Sequence, residues 1–139
     1  MGACFLIRCN ACSFSVKTDG PWEFFRDSKG NICDYGHPCP VSEEAAEHGI
    51  DGLYANMFCP ECGRVSKVVL VEYDSPRESA FELWLHADGD IDGYLEQNPF
   101  QCAECGCSEL MLEPPDEEME ILCPECKECV LSGELEWVS

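Results

Sequence analysis

Basic side chains are scarce in this chain of 139 residues, with 8 Lys and Arg set against 28 Asp and Glu for a formal net charge of −20. The shortage is uneven. Residues 1–77 hold 11 acids and 7 bases, net −4, whereas residues 78–139 hold 17 acids and the single base Lys127, net −16. Holding a phosphate backbone requires clustered Lys and Arg, so the C-terminal half is expected not to bind nucleic acid directly. The scattered bases Lys17, Arg26 and Lys29 have acids close by in sequence. Long apolar runs are also missing, and nothing approaches the ~20 residues of a membrane span. Histidine occurs three times, at His37, His48 and His86, and none has a visible catalytic companion. There is no nucleophile elbow and no phosphate-cradling glycine loop. These absences point away from catalysis and from a membrane. The segment Met-Gly-Ala-Cys-Phe-Leu-Ile-Arg ahead of the first cysteine motif is too short for an apolar targeting region, which sets the expectation of a reducing, cytoplasmic setting.

Cysteine is what the chain has in abundance, with 13 residues. Eight of them form four Cys-x-x-Cys pairs: Cys9/Cys12, Cys59/Cys62, Cys102/Cys105 and Cys123/Cys126. Two intervening residues let both thiolates of one tight turn face the same tetrahedral ion, and two such turns complete a four-thiolate zinc site. Cys62 and Cys105 each run into a glycine, which suits a turn that leaves its second cysteine with positive φ. Two Zn2+ per chain are therefore expected, in the sets Cys9/Cys12/Cys59/Cys62 and Cys102/Cys105/Cys123/Cys126. Each occupied site adds two negative charges, taking the folded molecule to about −24. An odd cysteine count fits a disulfide framework poorly. The remaining hydrophobic residues leave a thin core that needs such a staple.

Residues 100–138 resemble a zinc ribbon, with Cys102, Cys105, Cys123 and Cys126 at the positions of the four ligands and 17 residues between the two turns. The turns Arg8–Cys12 and Phe58–Gly63 resemble those of ribbon or rubredoxin-like sites. They depart in spacing, because 46 residues separate Cys12 from Cys59, and this leaves the partner of each N-terminal turn open. The resemblance implies small β-sheets stapled by zinc and is specific for metal, not activity. The fold class expected is accordingly small and β-rich: two zinc-ribbon units with short antiparallel sheets. Residues 1–74 would form the first unit, with an inserted loop and a short helix. Residues 75–99 would be an acidic connector, and 100–139 the second ribbon.

Local signals fill in the elements. Cys4–Arg8, Ser13–Lys17, Trp22–Arg26, Tyr54–Phe58 and Val65–Tyr73 read as strands, with a turn at Asp19-Gly20-Pro21. Residues 43–48 read as a two-turn helix capped by Ser42 and stopped by Gly49. Trp22, Phe24, Phe25 and Tyr35 are expected to pack over it. Ser75-Pro76 has the pattern of a helix start, while Phe81, Leu83 and Leu85 alternate as in a strand, the reading preferred for 80–86. In the second unit, Phe100–Cys105 and Glu109–Leu112 read as strands, Pro114–Glu118 as a turn, Met119–Leu122 as a strand and Val130–Val138 as a hairpin around Ser132-Gly133. Cys33, His37 and Cys39 offer ligands for a third metal, and an ordinary loop is the alternative. Asp88, Asp90 and Asp92 match the start of a calcium loop, but Pro99 stands where its bidentate Glu belongs. Cys107 and Cys129 lie close to the turns and could exchange with ligands, but small buried hydrophobes or spare thiols are the favoured reading.

The function expected is a non-catalytic, zinc-stabilised adaptor or assembly factor whose acidic surface meets a protein partner with a basic one. A nucleic-acid mimic and a thiol redox or metal-handling protein are the alternatives.

Overall fold

The structure, a computed structural model, describes residues 2–36, 39–78, 100–114 and 118–138. His37, the Asp88/Asp90/Asp92 loop, the strand expected over 80–86 and most of the acidic connector lie outside the described residues. The described chain is strand-rich with one short helix, as expected. The strands are β1 (Ala3–Cys9), β2 (Ser15–Arg26), β3 (Ile32–Asp34), β4 (Ile50–Phe58), β5 (Val65–Arg77), β6 (Glu118–Leu122) and β7 (Val130–Val138), and α1 is Glu43–His48. They form a curled antiparallel sheet in the order β5-β4-β2-β1-β7-β6, with β3 on β2.

The helix follows its local signals. The Ser42 side chain accepts from the Ala45 N–H, Glu43 and Glu44 fill the first turn, and Gly49 ends it at φ +88°. The Phe25 ring lies 5.8 Å from that of His48, which ties the helix to β2. Other elements differ from the local signals. Asp19-Gly20-Pro21 is not a turn. β2 runs straight through it, and its pairing with β4 shifts register between Asp19 and Trp22. Gly20 sits there at φ +125°, where a Cβ would come within 2.8 Å of Ala55, so glycine is used to bring two strands close rather than to reverse the chain. Ser75-Pro76 starts no helix, because β5 continues to Arg77 beside Ile50.

The change with most consequence concerns Ser132-Gly133. Instead of turning a hairpin, these residues lie inside β7, paired with Arg8 and Ile7 of β1. Strands from the two ends of the chain thus lie side by side, and the sheets expected as separate for 1–74 and 100–139 are one. On β1, Phe5, Ile7 and Cys9 alternate inward, as a half-buried strand requires. Ile7 and Cys9 pack with Phe58, Met119, Cys123 and Leu131, which come from both halves. Leu53, Ala55, Met57, Leu70 and Leu112 form an adjoining cluster. The buried Thr18 hydroxyl donates to the Leu112 carbonyl at 2.6 Å, a further tie between the halves. No helix among the described residues is long and apolar enough to cross a membrane.

Candidate metal centres

Each Cys-x-x-Cys motif forms a tight turn closed by backbone hydrogen bonds. The N–H of Cys59 donates to the Arg64 carbonyl (2.9 Å), that of Cys102 to Cys107 (2.7 Å), that of Cys9 to Phe14 (3.1 Å) and that of Cys123 to Cys129 (2.9 Å). The residue after the second cysteine turns back with its N–H on the carbonyl of the first: Gly63 on Cys59 (2.9 Å), Gly106 on Cys102 (2.8 Å) and Lys127 on Cys123 (3.0 Å). All three have positive φ, +75°, +80° and +56°, and Lys127 is the one non-glycine to do so among the described residues. A side chain in that region costs roughly 1 kcal/mol relative to glycine. Lys127→Gly is therefore expected to stabilise the protein by ~0.5–1 kcal/mol. Chemical denaturation of the metal-loaded chain measures this, and an unchanged midpoint would count against the strain.

Strand register decides which turns meet. β1 ends at Cys9, opposite Leu131, just after the fourth turn. The end of β4 pairs at Phe58 with Met111, through two backbone hydrogen bonds of 2.8 and 2.9 Å, just after the third turn. All eight cysteines named from the sequence accordingly gather into two groups of four, but in different sets. Cys9 and Cys12 join Cys123 and Cys126, while Cys59 and Cys62 join Cys102 and Cys105. The expected sets, each drawn from one half of the chain, are thus corrected. The outer turns pair with each other, as do the inner ones, so each group links the two halves. The groups also touch. A Cβ on Gly63 in the second turn would come within 2.5 Å of Pro124 in the fourth.

The geometry fits a four-coordinate ion. Within each group all sulfurs lie within 4.8 Å of one another. Sulfur pairs in contact include Cys9–Cys126 at 3.6 Å, Cys12–Cys123 at 3.6 Å, Cys59–Cys105 at 3.4 Å and Cys62–Cys102 at 3.7 Å. A tetrahedron of thiolates ~2.3 Å from a central ion has edges of ~3.8 Å, whereas disulfide sulfurs sit ~2.05 Å apart. Every cysteine is free.

Proton affinities within the groups are uneven. The N–H groups of Cys105 and Glu104 draw the Cys102 thiol down to about 7. Those of Glu128 and Cys129 do the same for Cys126, also to about 7. Cys105 shows the opposite outcome. The Cys107 N–H pulls it down, but hydrogen bonding with Cys59, partial desolvation by neighbouring groups, and the Cys102 and Cys62 sulfurs together push it up to about 12. Four thiolates repel one another at this range, and a divalent ion at the centre removes the conflict by deprotonating all of them. Each group can therefore hold a metal ion.

The other cysteines take lesser places. Cys107 packs with Cys59 and Cys102, and Cys129 packs against the Cys9 and Cys123 cluster. Cys33 and Cys39 join no group of potential ligands among the described residues. Lys127, Pro124 and the Thr18–Leu112 link carried no signal in the sequence, because each matters only through a distant or conformational neighbour. Compared with protein-family models, curated proteins and solved structures, the chain shows no significant match.

Proposed function

We propose that the protein is a zinc-stabilised adaptor or assembly factor that acts through protein contacts and not through catalysis. The observation that carries this reading is the linking of the two halves of one sheet by two closed four-thiolate groups. Zinc is the ion proposed, because it takes tetrahedral sulfur ligation without redox chemistry and a full set of four thiolates suits a structural role.

The surface supports the choice of partner. The third position of three turns is an exposed glutamate, at Glu61, Glu104 and Glu125. These add to the negative charge of the thiolate groups. The end of β7 exposes Leu135, Trp137 and Val138 beside Glu134 and Glu136, which suits an apolar contact within an acidic rim. Bases of the N-terminal half are drawn into acid pairs. Lys17 meets Glu136 at 3.0 Å, and the Arg26 guanidinium meets Glu72 with an Nη2–Oε1 distance of 2.9 Å. Recognition of a basic protein surface would thus be fast and salt-sensitive.

Capture of partners from the native cell by the metal-loaded chain tests this. The expected result is retention of basic proteins that falls several-fold between ~50 and ~500 mM salt, with no shift of DNA or RNA at either salt. Micromolar nucleic-acid binding would overturn the charge argument. Capture insensitive to salt would move the contact from the acids to the apolar end of β7.

A further inference from the structure

We propose that the two centres differ in kind: Cys59/Cys62/Cys102/Cys105 is an exchangeable site for a thiophilic divalent cation, and Cys9/Cys12/Cys123/Cys126 is permanent. The inference rests on the reading that both groups hold metal, and goes beyond it in giving one of them a part in metal transfer.

Burial separates the two groups. In the first set named, Cys105 is exposed, whereas every ligand of the other is buried or half-buried. Cys105 opens on a cleft of about 360 Å³ lined by Glu61, Gly106, Cys107, Ser108 and Glu109. The turn that carries it is uncovered. A Cβ placed on Gly106 would meet nothing within 4 Å, whereas the corresponding Gly63 is closed off by Pro124. Glu61 and Glu109 give the cleft a negative wall that favours cations. A further thiol packs beside the group, outside the four sulfurs that gather within 4.8 Å. Cys107 is 8 % exposed and packs with Cys59 and Cys102. It lies two residues beyond Cys105 on the same turn, and its sulfur accepts from the Glu109 N–H at 3.3 Å.

Exchange would then be a ligand substitution: with an ion held by Cys59, Cys62, Cys102 and Cys105, the exposed Cys105 would be the ligand to leave into the cleft and Cys107 the thiol to take its place, with no change of oxidation state. The cleft beside Cys105 would be the side from which an acceptor ligand approaches.

The test uses the intact, fully loaded chain and the neutral polypyridyl chelator TPEN, followed by native mass spectrometry with iodoacetamide mapping. Two phases of metal loss are expected. The first should be at least about tenfold faster, equivalent to ~1.4 kcal/mol in opening free energy. After it, Cys59, Cys62, Cys102 and Cys105 should be alkylated, while Cys9, Cys12, Cys123 and Cys126 stay protected. Cys107→Ser should slow the first phase by about threefold or more and leave the second unchanged. Loss of both ions together, or alkylation of the Cys9 set first, would overturn the proposal while leaving the metal reading intact. An unchanged first phase in Cys107→Ser would overturn the replacement step, and Cys107→Ala repeats the check without a hydroxyl. A chain purified with no bound metal would sink the metal reading itself.

Discussion

Removing both ions from the intact chain is expected to unfold the whole sheet, not one half of it. Each structural zinc contributes ~10–16 kcal/mol at neutral pH when the apo site is unformed. A domain of this size has a total margin of ~5–15 kcal/mol. Each centre joins one turn from each half of the chain, so the loss is shared by β1, β2, β4 and β7 alike. Amide spectra before and after chelation should show dispersion collapsing throughout these strands. Cys9→Ser should reproduce most of the collapse, because it dissolves the centre beside the β1–β7 pairing. Cys105→Ser should be milder, since the β1–β7 seam keeps its own ion. Collapse confined to residues 100–138 would instead describe two independent ribbons and contradict the shared sheet.

The second large effect is expected at Phe58. Its side chain is fully buried and packs with Ile7, Met119 and Leu131 in the cluster that also holds Cys9 and Cys123. Its backbone bridges β4 to Met111, and Cys59 follows directly. Phe58→Ala leaves a cavity between the two centres and should cost ~3–5 kcal/mol. Denaturation of the zinc-loaded variant measures it, and faster metal loss from both centres should accompany the drop. A cost below ~1 kcal/mol would mean that the site collapses freely and that the ions alone hold the halves together.

The ligands were legible in the sequence because Cys-x-x-Cys is a local pattern: the turn that presents two thiolates is made by the residues between and just after them. The partner of each turn is not local. It is set by the register of β1 on β7 and by the Phe58–Met111 bridge, which span more than 50 residues of sequence. Neither has a spacing that could announce it. Helix α1 could be placed to the residue, since Ser42, the acidic first turn and Gly49 all act within one segment. Ser132-Gly133 and Asp19-Gly20-Pro21 misled for the converse reason. Both carry the composition of a turn, but Gly20 serves a close approach to Ala55 inside β2 and Gly133 lies inside β7 opposite Ile7, placements set by strands far away in the chain. A hairpin at Ser132-Gly133 would confine β7 to the C-terminal half, and the 17 residues between Cys105 and Cys123 suit a ribbon closed within that half, whereas the structure pairs β7 with β1.

The pairing of the turns is the claim on which the shared sheet, the metal dependence and the difference between the centres all depend. It can be read directly by replacing the bound ions with cadmium-113 and recording cadmium–proton correlations to the cysteine β-protons. One cadmium resonance should connect to Cys9, Cys12, Cys123 and Cys126, and the other to Cys59, Cys62, Cys102 and Cys105. A resonance that connects Cys9 and Cys12 to Cys59 and Cys62 would contradict the account.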